Sequence, residues 1–165
     1  MRKYEFTGET RKIQLMFRTV TLHRIRAVIS FGLVDAGELG GWIEKEENLS
    51  HEGKAWVCGD AKVWGNAKVC GDAEVCGDAK VFSASHVLVI GPIGSRNDFT
   101  TFYRDRDNEI TVKCGCFLGK IDKFLEKVTR THGNSKYALV YRAAVEVAKL
   151  QIDLSDEAPE EDGEE

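Results

Sequence analysis

The feature that most constrains this chain is a six-residue repeat between residues 55 and 87. Each hexad starts with Ala or Ser, carries Val two positions later and usually ends in Gly-Asp or Gly-Asn. The repeated valines are Val57, Val63, Val69, Val75, Val81 and Val87. A fixed period of this kind is typical of a parallel β-helix in which every hexad forms one short side. Ala and Val are then predicted to point inward, and the Gly-Asp pairs tolerate the positive φ needed at corners.

The repeat resembles the left-handed hexapeptide-repeat helix of many acyltransferases, in which three hexads close one triangular coil. This resemblance implies that residues eighteen positions apart stack on a common face. Two of the implied outward columns hold Trp56, Cys58, Glu74 and Cys76, and Lys62, Trp64, Lys80 and Phe82. The same scaffold serves enzymes and structural trimers alike, so the fold alone does not indicate an activity.

Outward apolar side chains predict assembly. A monomer has no reason to expose Trp64 stacked on Phe82, so at least one face should be covered. The cover is either another subunit, which we favour and which predicts a homotrimer, or flanking segments of the same chain. The predicted oligomer interface consists of Trp56, Cys58, Trp64, Cys76 and Phe82.

The five cysteines raise the question of a disulfide. Cys58 and Cys76 could lie about 4.8 Å apart on adjacent strands, which a disulfide permits. We predict free thiols, because a reducing cytosol disfavours the bond and because Cys alternates with Trp and Phe as a small apolar residue. No residue set approaches the usual zinc spacings, so the sequence predicts no metal site and no cofactor.

Charge is unevenly distributed along the chain. Residues 153–165 hold eight of the 27 acidic residues and no Lys or Arg, which leaves 19 acidic and 23 basic residues in 1–152. The body is therefore formally +4, whereas the whole chain is −4. This tail is predicted to be disordered. It either keeps the protein soluble, which we favour, or shields a basic surface.

The predicted fold is mainly β, with a short left-handed parallel β-helix followed by a small α/β unit with two C-terminal helices. We expect an N-terminal cap in residues 1–48, the β-helix in 49–91, the α/β unit in 92–152 and the acidic tail in 153–165. Alternating or apolar runs predict strands at 3–7, 22–30, 87–90, 99–103 and 110–116. The first helix is predicted from Phe117 to His132 with Gly133 as its cap, and the second after Ser135.

A more specific resemblance is carried by residues 22–27, by Ala36-Gly-Glu-Leu-Gly-Gly-Trp-Ile-Glu and by the hexads. They resemble a family of hexapeptide-repeat, polymer-forming-like proteins common in bacteriophages and prophages. Residues 90–97 and 112–119 are similar to a small phage-associated domain of unknown function. The resemblance implies a source and a fold, but no reaction. With no apolar run long enough for a membrane span and no signal-peptide core after Met1, we expect a cytoplasmic protein, in the host if phage-encoded.

The segment from Gly91 to Thr101 is the strongest candidate for a binding site. Its glycines, hydroxyls, amide and guanidinium can direct donors at a phosphate or carboxylate. The predicted ligand-binding residues are Ser95, Arg96, Asn97, Thr100 and Thr101. The segment lacks the Lys-Ser/Thr ending and the helix of a Walker loop, so ATP hydrolysis is not supported. The alternative is an ordinary turn made of ordinary turn residues.

Three classes of function remain open. Acyl transfer would need a histidine base, and only His86 lies in the regular repeat. A virion structural protein is the second class. We favour the third, a trimeric, non-enzymatic phage-type protein without catalytic residues that captures a small anionic ligand or a host defence protein, with a nucleotide immune signal as one such ligand. No membrane and no direct DNA binding are expected.

Overall fold

The chain begins with an antiparallel hairpin. In the computed structural model, which describes residues 1–156, β1 spans Tyr4–Gln14 and β2 spans Thr19–Ala27. A third strand, β3 (Leu39–Ile43), pairs antiparallel with β2. Strands predicted at 3–7 and 22–30 are therefore confirmed, although β1 runs further and β2 begins and ends earlier than expected.

The repeat forms four strands of only two residues each. They are β4 (Trp56–Val57), β5 (Lys62–Val63), β6 (Glu74–Val75) and β7 (Lys80–Val81). Residues eighteen apart lie side by side in parallel register, as in Trp56 with Glu74 and Lys62 with Lys80. The repeat glycines turn the chain at positive φ, as in Gly59 and Gly77 at 64° and 66°. The Ala and Val side chains of the first five hexads are buried, as predicted, and Val87 is partly buried.

The prediction of a single left-handed parallel β-helix is wrong. The short strands divide between sheets: β5 and β7 extend the antiparallel β1–β2–β3 unit into a mixed five-stranded sheet, and β4 pairs only with β6. Leu49 and Val69 add an isolated parallel bridge. Two residues per hexad make few ladder hydrogen bonds, whereas the longer flanking strands offer an open edge on which β5 and β7 continue. The result is one mixed sheet, one antiparallel sheet and one parallel two-stranded pair, none of them closed within residues 1–156.

The C-terminal half is an antiparallel sheet covered by two helices. Its strands are β8 (Val87–Ile93), β9 (Asp98–Arg104), β10 (Ile110–Cys114) and β11 (Phe117–Lys120). They lie in the order β11-β10-β9-β8. Two helices follow, α1 (Ile121–His132) and α2 (Lys136–Gln151). The predicted strands at 87–90, 99–103 and 110–116 and the two helices are present.

The start of the first helix differs from the prediction. Residues 117–120 form β11 rather than helix, since Cys114 pairs with Phe117 across a two-residue turn. Gly115 adopts φ 56° in that turn, a conformation that favours glycine and suits a tight hairpin. The apolar periodicity of the segment hid this turn, because Phe117 and Leu118 fit a helical face as well as a strand.

The sheet β8–β11 separates two cores. Val87, Val89 and Tyr103 pack against the repeat valines, whereas Leu88 and Phe102 pack against the helices. This division follows from the period of two, which sends successive side chains of a strand to opposite faces. One sheet therefore belongs to both halves of the molecule.

The chain after α2 returns to the body. Asp153 N donates to Ser85 O at 3.0 Å, and Asn108 Nδ2 donates to Leu154 O at 2.9 Å. The tail predicted from residue 153 thus begins with a segment in which Asp153, Leu154 and Asp156 are hydrogen-bonded to the body, and its remainder, 157–165, lies outside the described residues. Within residues 1–156, no helix combines the length and apolarity required to cross a bilayer.

Candidate functional site

The segment predicted to bind an anion, Gly91 to Thr101, forms the hairpin between β8 and β9. Its turn is closed by a hydrogen bond from Asn97 N to Gly94 O at 3.2 Å. Gly94 has φ 79°, and a Cβ added there would stand 1.9 Å from Tyr141 Oη. Any other residue at this position would clash with the ring, so the turn is seated directly on α2.

The five predicted ligand-binding residues do not act as one group. Thr100 and Thr101 are buried: Thr100 Oγ1 donates to Cys114 Sγ at 3.4 Å, and Thr101 Oγ1 accepts from Glu74 N at 3.0 Å. Asn97 is exposed in the turn at φ 48°. Only Ser95 and Arg96 line a cavity, which lies beside the turn. Both threonine hydroxyls therefore have structural partners, and neither threonine lines the cavity.

This cavity, called the Arg96 cavity below, measures about 150 Å³. The β8–β9 turn, the β10–β11 turn and both helices enclose it. Three aromatic rings, Phe117, Phe124 and Tyr141, contribute apolar wall. Their centroids lie 5.4 Å apart for Phe117 and Phe124 and 5.6 Å apart for Phe124 and Tyr141, in tilted and edge-on arrangements. Edge-on and tilted contacts of this kind are favourable arrangements of aromatic pairs, so the wall is well packed.

Basic groups dominate the charge around the Arg96 cavity. Arg96 and Lys127 line it together with a single carboxylate, Asp98. The Arg96 guanidinium lies over Gly115, and Lys127 Nζ stands 5.5 Å from the centroid of the Phe117 ring. His132 also lines the cavity and stacks on Tyr141 at 5.8 Å. The cavity thus joins an aromatic wall to a cationic rim.

Tyr141 is a hydroxyl donor at neutral pH. Burial raises its pKa to about 12, with the neighbouring Cys114 as the next cause. A phenol that stays protonated can donate a hydrogen bond to an anion but cannot act as a base. The second thiol of the lining, Cys116, is exposed and free.

Sequence reasoning missed Lys127, His132 and Tyr141 as site residues. Lys127 and Thr131 are four residues apart and therefore share a helical face with each other. That face borders the buried side of α1, which holds Phe124 and Val128, and Tyr141 is a buried residue of α2. No local sequence pattern could have identified these residues, because α1 and α2 meet the β8–β9 turn only through the tertiary fold.

The predicted oligomer interface is covered by the same chain. Trp64 is buried in a cluster with Trp42 and Leu22, and its ring stacks on Phe82 at 4.9 Å. Trp56 is likewise buried, with Phe31 against its ring at 5.2 Å. Flanking segments of the chain therefore provide the cover that we had assigned to another subunit, and these side chains no longer indicate a trimer.

The prediction of free thiols at Cys58 and Cys76 is also wrong. The two residues form a disulfide with a Cα–Cα distance of 4.6 Å. Cys76 is further fixed by Tyr103, whose Oη donates to Cys76 O at 2.8 Å. The parallel register brings two cysteines eighteen residues apart side by side, so the repeat itself sets the geometry of the bond. The free thiols are Cys70, Cys114 and Cys116.

His86, the histidine considered for acyl transfer, is unavailable to a substrate. It is fully buried, its Nδ1 accepts from Phe82 N at 3.1 Å and its Nε2 lies 2.8 Å from Asp156 Oδ2. Both ring nitrogens are therefore occupied by the fold. Across residues 1–156, no three His, Cys, Asp or Glu side chains are grouped so that they could hold a metal ion.

Comparison with known proteins gives one partial similarity. The chain is 38% identical over 61 residues to a protein named uncharacterized acetyltransferase YdcK from Escherichia coli (strain K12). The aligned part makes up 34% of this chain and 19% of that protein. The chain therefore spans about a fifth of the length of this relative. No family model matches the chain.

Proposed function

We propose that this protein is a non-enzymatic binding module whose Arg96 cavity takes a small anion bearing a flat or apolar group. The observation that supports the proposal is the opposition of the two sides of the cavity. Arg96 and Lys127 can neutralise a phosphate or carboxylate, while Phe117, Phe124 and Tyr141 offer apolar surface to the rest of the ligand. Ser95 and the protonated Tyr141 hydroxyl add neutral donors.

Size restricts the ligand. Small-molecule pockets usually measure roughly 300 Å³ or more, whereas the Arg96 cavity measures about 150 Å³. It can enclose one anionic group and part of a ring, with the remainder of the ligand outside. A nucleotide fits this description, with its phosphate at Arg96 and its base against the aromatic wall. We therefore propose a nucleotide, including the cyclic nucleotide signals of bacterial defence, as the ligand class.

Calorimetry with AMP and a panel of linear and cyclic nucleotides tests this proposal. Arg96→Ala removes a charge-assisted pair worth roughly 1.5 to 3 kcal/mol, so we expect Kd to rise about ten- to a hundredfold. Arg96→Lys should restore only part of the affinity, because an ammonium lacks the bidentate fork. Arg130→Ala, on the exposed side of α1, is the matched control and should bind as wild type does.

The outcome is decisive in either direction. A nucleotide that binds wild type, Arg96→Ala and Arg96→Lys with equal Kd removes Arg96 from the site. The absence of binding across the whole panel would contradict the proposal of a nucleotide ligand and would favour capture of a host protein instead.

Acetyl transfer is the second candidate, favoured by the partial similarity to the protein named as an acetyltransferase. His86 cannot serve as its base, since the fold occupies both ring nitrogens. Release of free coenzyme A from acetyl-CoA in the presence of amine or hydroxyl acceptors would establish this activity. Loss of that release in His132→Asn, but not in His86→Asn, would assign the reaction to the Arg96 cavity.

The wider biological setting is also a proposal. We place the protein in the cytoplasm of a phage-infected host, as a homo-oligomer that counters defence, with a virion component as the alternative. Support for assembly now comes from α2, where Leu139, Val147 and Leu150 are exposed on one side of the helix. Sedimentation of the wild type distinguishes monomer from trimer, and copurification with particles identifies a virion component.

A further inference from the structure

A second pocket, called the basic pocket below, lies on the other half of the molecule. It measures about 180 Å³ and is lined by four basic side chains, Arg11, Lys62, Lys80 and Arg106, and two carboxylates, Asp60 and Asp78. No lining residue is shared with the Arg96 cavity, and no aromatic ring takes part. The basic pocket is therefore a separate, wholly polar site with a formal charge of +2.

The repeat places two of these cations in direct contact range. Lys62 and Lys80 are paired neighbours on the parallel strands β5 and β7. Like charges directly opposite each other on adjacent strands destabilise a sheet unless negative charge lies close by. Asp60 and Asp78 stand two residues before each lysine and formally balance them. The net charge of the pocket therefore comes from Arg11 and Arg106.

Both arginines are positioned by the fold. The Arg11 guanidinium lies 4.3 Å from the centroid of the Trp42 ring, which holds it by a cation–π contact. Arg106 N donates to Asp78 O at 2.9 Å, which ties the β9–β10 connection to the repeat. Neither arginine forms an ion pair with another side chain in residues 1–156. The Arg11 guanidinium is held over Trp42, the backbone of Arg106 is tied to the repeat, and both arginines line one pocket.

We propose that the basic pocket binds a short phosphate chain, such as pyrophosphate or the terminal phosphates of a nucleotide. Two guanidinium forks, from Arg11 and Arg106, match the paired oxygens of two successive phosphoryl groups. The absence of an aromatic ring among the lining residues means that a base would gain nothing here. The pocket recognises the phosphate chain and not the nucleoside.

Calorimetry with pyrophosphate tests the proposal on the full-length protein. Arg106→Gln should raise Kd at least tenfold, and the double variant Arg11→Gln/Arg106→Gln should abolish measurable binding. Arg130→Gln, an exposed arginine of α1 outside both cavities, controls for the change in net charge and should leave Kd unchanged. Raised salt should weaken binding of the wild type.

Two further measurements distinguish the basic pocket from the Arg96 cavity. Arg96→Ala should leave the pyrophosphate Kd as in wild type, so a failure at the Arg96 cavity and a failure here give different results. In the Arg96→Ala variant, in which the Arg96 cavity is disabled, ADP should bind as tightly as pyrophosphate if only the phosphates are recognised. Equal Kd for wild type, Arg106→Gln and Arg130→Gln, or no pyrophosphate binding by the wild type at millimolar concentration, would overturn the proposal. Arg106 is exposed, so its replacement keeps the test valid even if Arg11→Gln disturbs Trp42.

Discussion

The two halves of this molecule fill their interiors in different ways. In the repeat half, Val and Ala at fixed spacing form most of the core, and those of the first five hexads are almost fully buried. In the C-terminal half, the core includes Phe102, Phe124 and Tyr141, whose rings meet edge-on. Phe124 and Tyr141 also line the Arg96 cavity, whereas no Val of the repeat lines the basic pocket. The candidate site of the C-terminal half is therefore continuous with its core, and that of the repeat half is formed by charged side chains.

The comparison also separates how each half is secured. The repeat half depends on a disulfide and on tryptophans that flanking segments cover. The C-terminal half depends on the shared sheet and on the chain that returns after α2. Substitutions in the two halves should therefore lower the stability of the protein by different amounts.

The largest effect is expected from Trp64→Glu in the repeat half. The change removes a ring buried against Trp42, Leu22 and Phe82 and places a charge in its position. Losing a large aromatic side chain alone costs about 3 to 5 kcal/mol, and the buried carboxylate adds to it. We expect urea denaturation to show a largely unfolded protein. Leu33→Glu, at an exposed position, should change stability by less than about 0.5 kcal/mol.

This expectation revises the role of Trp64. A folded variant with an altered sedimentation coefficient would show that Trp64 lies in a subunit interface after all. Wild-type stability together with wild-type mass would contradict both interpretations.

The second effect concerns the disulfide, which only the repeat half contains. The disulfide joins two residues that are eighteen positions apart, and a bond across such a loop contributes about 3 kcal/mol to stability. Cys58→Ala removes this constraint. We expect the urea midpoint to fall in Cys58→Ala and, by the same amount, in wild type treated with reductant. Cys70→Ala, which removes an exposed free thiol, is the control.

A thiol count gives an independent check of the disulfide. Denatured, non-reduced protein should present three reactive thiols per chain, from Cys70, Cys114 and Cys116. Five thiols in protein taken from the producing cells would restore the original prediction, and with it the argument from a reducing cytoplasm.

What could be predicted from the sequence differs between the two halves for a physical reason. The hexad period determines which residues are neighbours, and the side-by-side register of Trp56 with Glu74 follows from it. The period does not determine which sheet a two-residue strand joins, since that depends on the free edge offered by β3. In the C-terminal half, turn chemistry and helical periodicity predicted most elements. The Arg96 cavity could not be predicted, because Arg96, Lys127 and Tyr141 are brought together only by tertiary packing.

The third effect tests the return of the chain in the C-terminal half. Deleting 153–165 removes one hydrogen-bond partner from each of two buried polar side chains: His86 Nε2 loses Asp156 Oδ2, and Arg104 Nη2 loses Asp156 O, to which it donates at 3.2 Å. Leaving such groups unsatisfied costs about 1 to 3 kcal/mol. We therefore expect a lower melting temperature, where composition alone predicted no change. Deletion of 157–165 only, which retains these contacts, is the matched control, and equal melting temperatures for the two truncated proteins would contradict the assignment.

The smallest effect is a pH dependence of the free energy of unfolding, which arises from the buried histidine His86. Burial lowers the pKa of His86 below its ordinary value of 6.5, outweighing the hydrogen bond to Asp156, which raises it. The unfolded chain then binds a proton more readily than the folded chain, so stability is full above about pH 6.5 and falls as pH drops below it. The slope for one histidine is at most about 1.4 kcal/mol per pH unit. Urea denaturation at pH 7, 6 and 5 should give a shallower slope for His86→Asn than for wild type, with a remainder from His51, whose pKa burial also lowers. Identical slopes for wild type and His86→Asn would show that His86 is not held neutral by the fold.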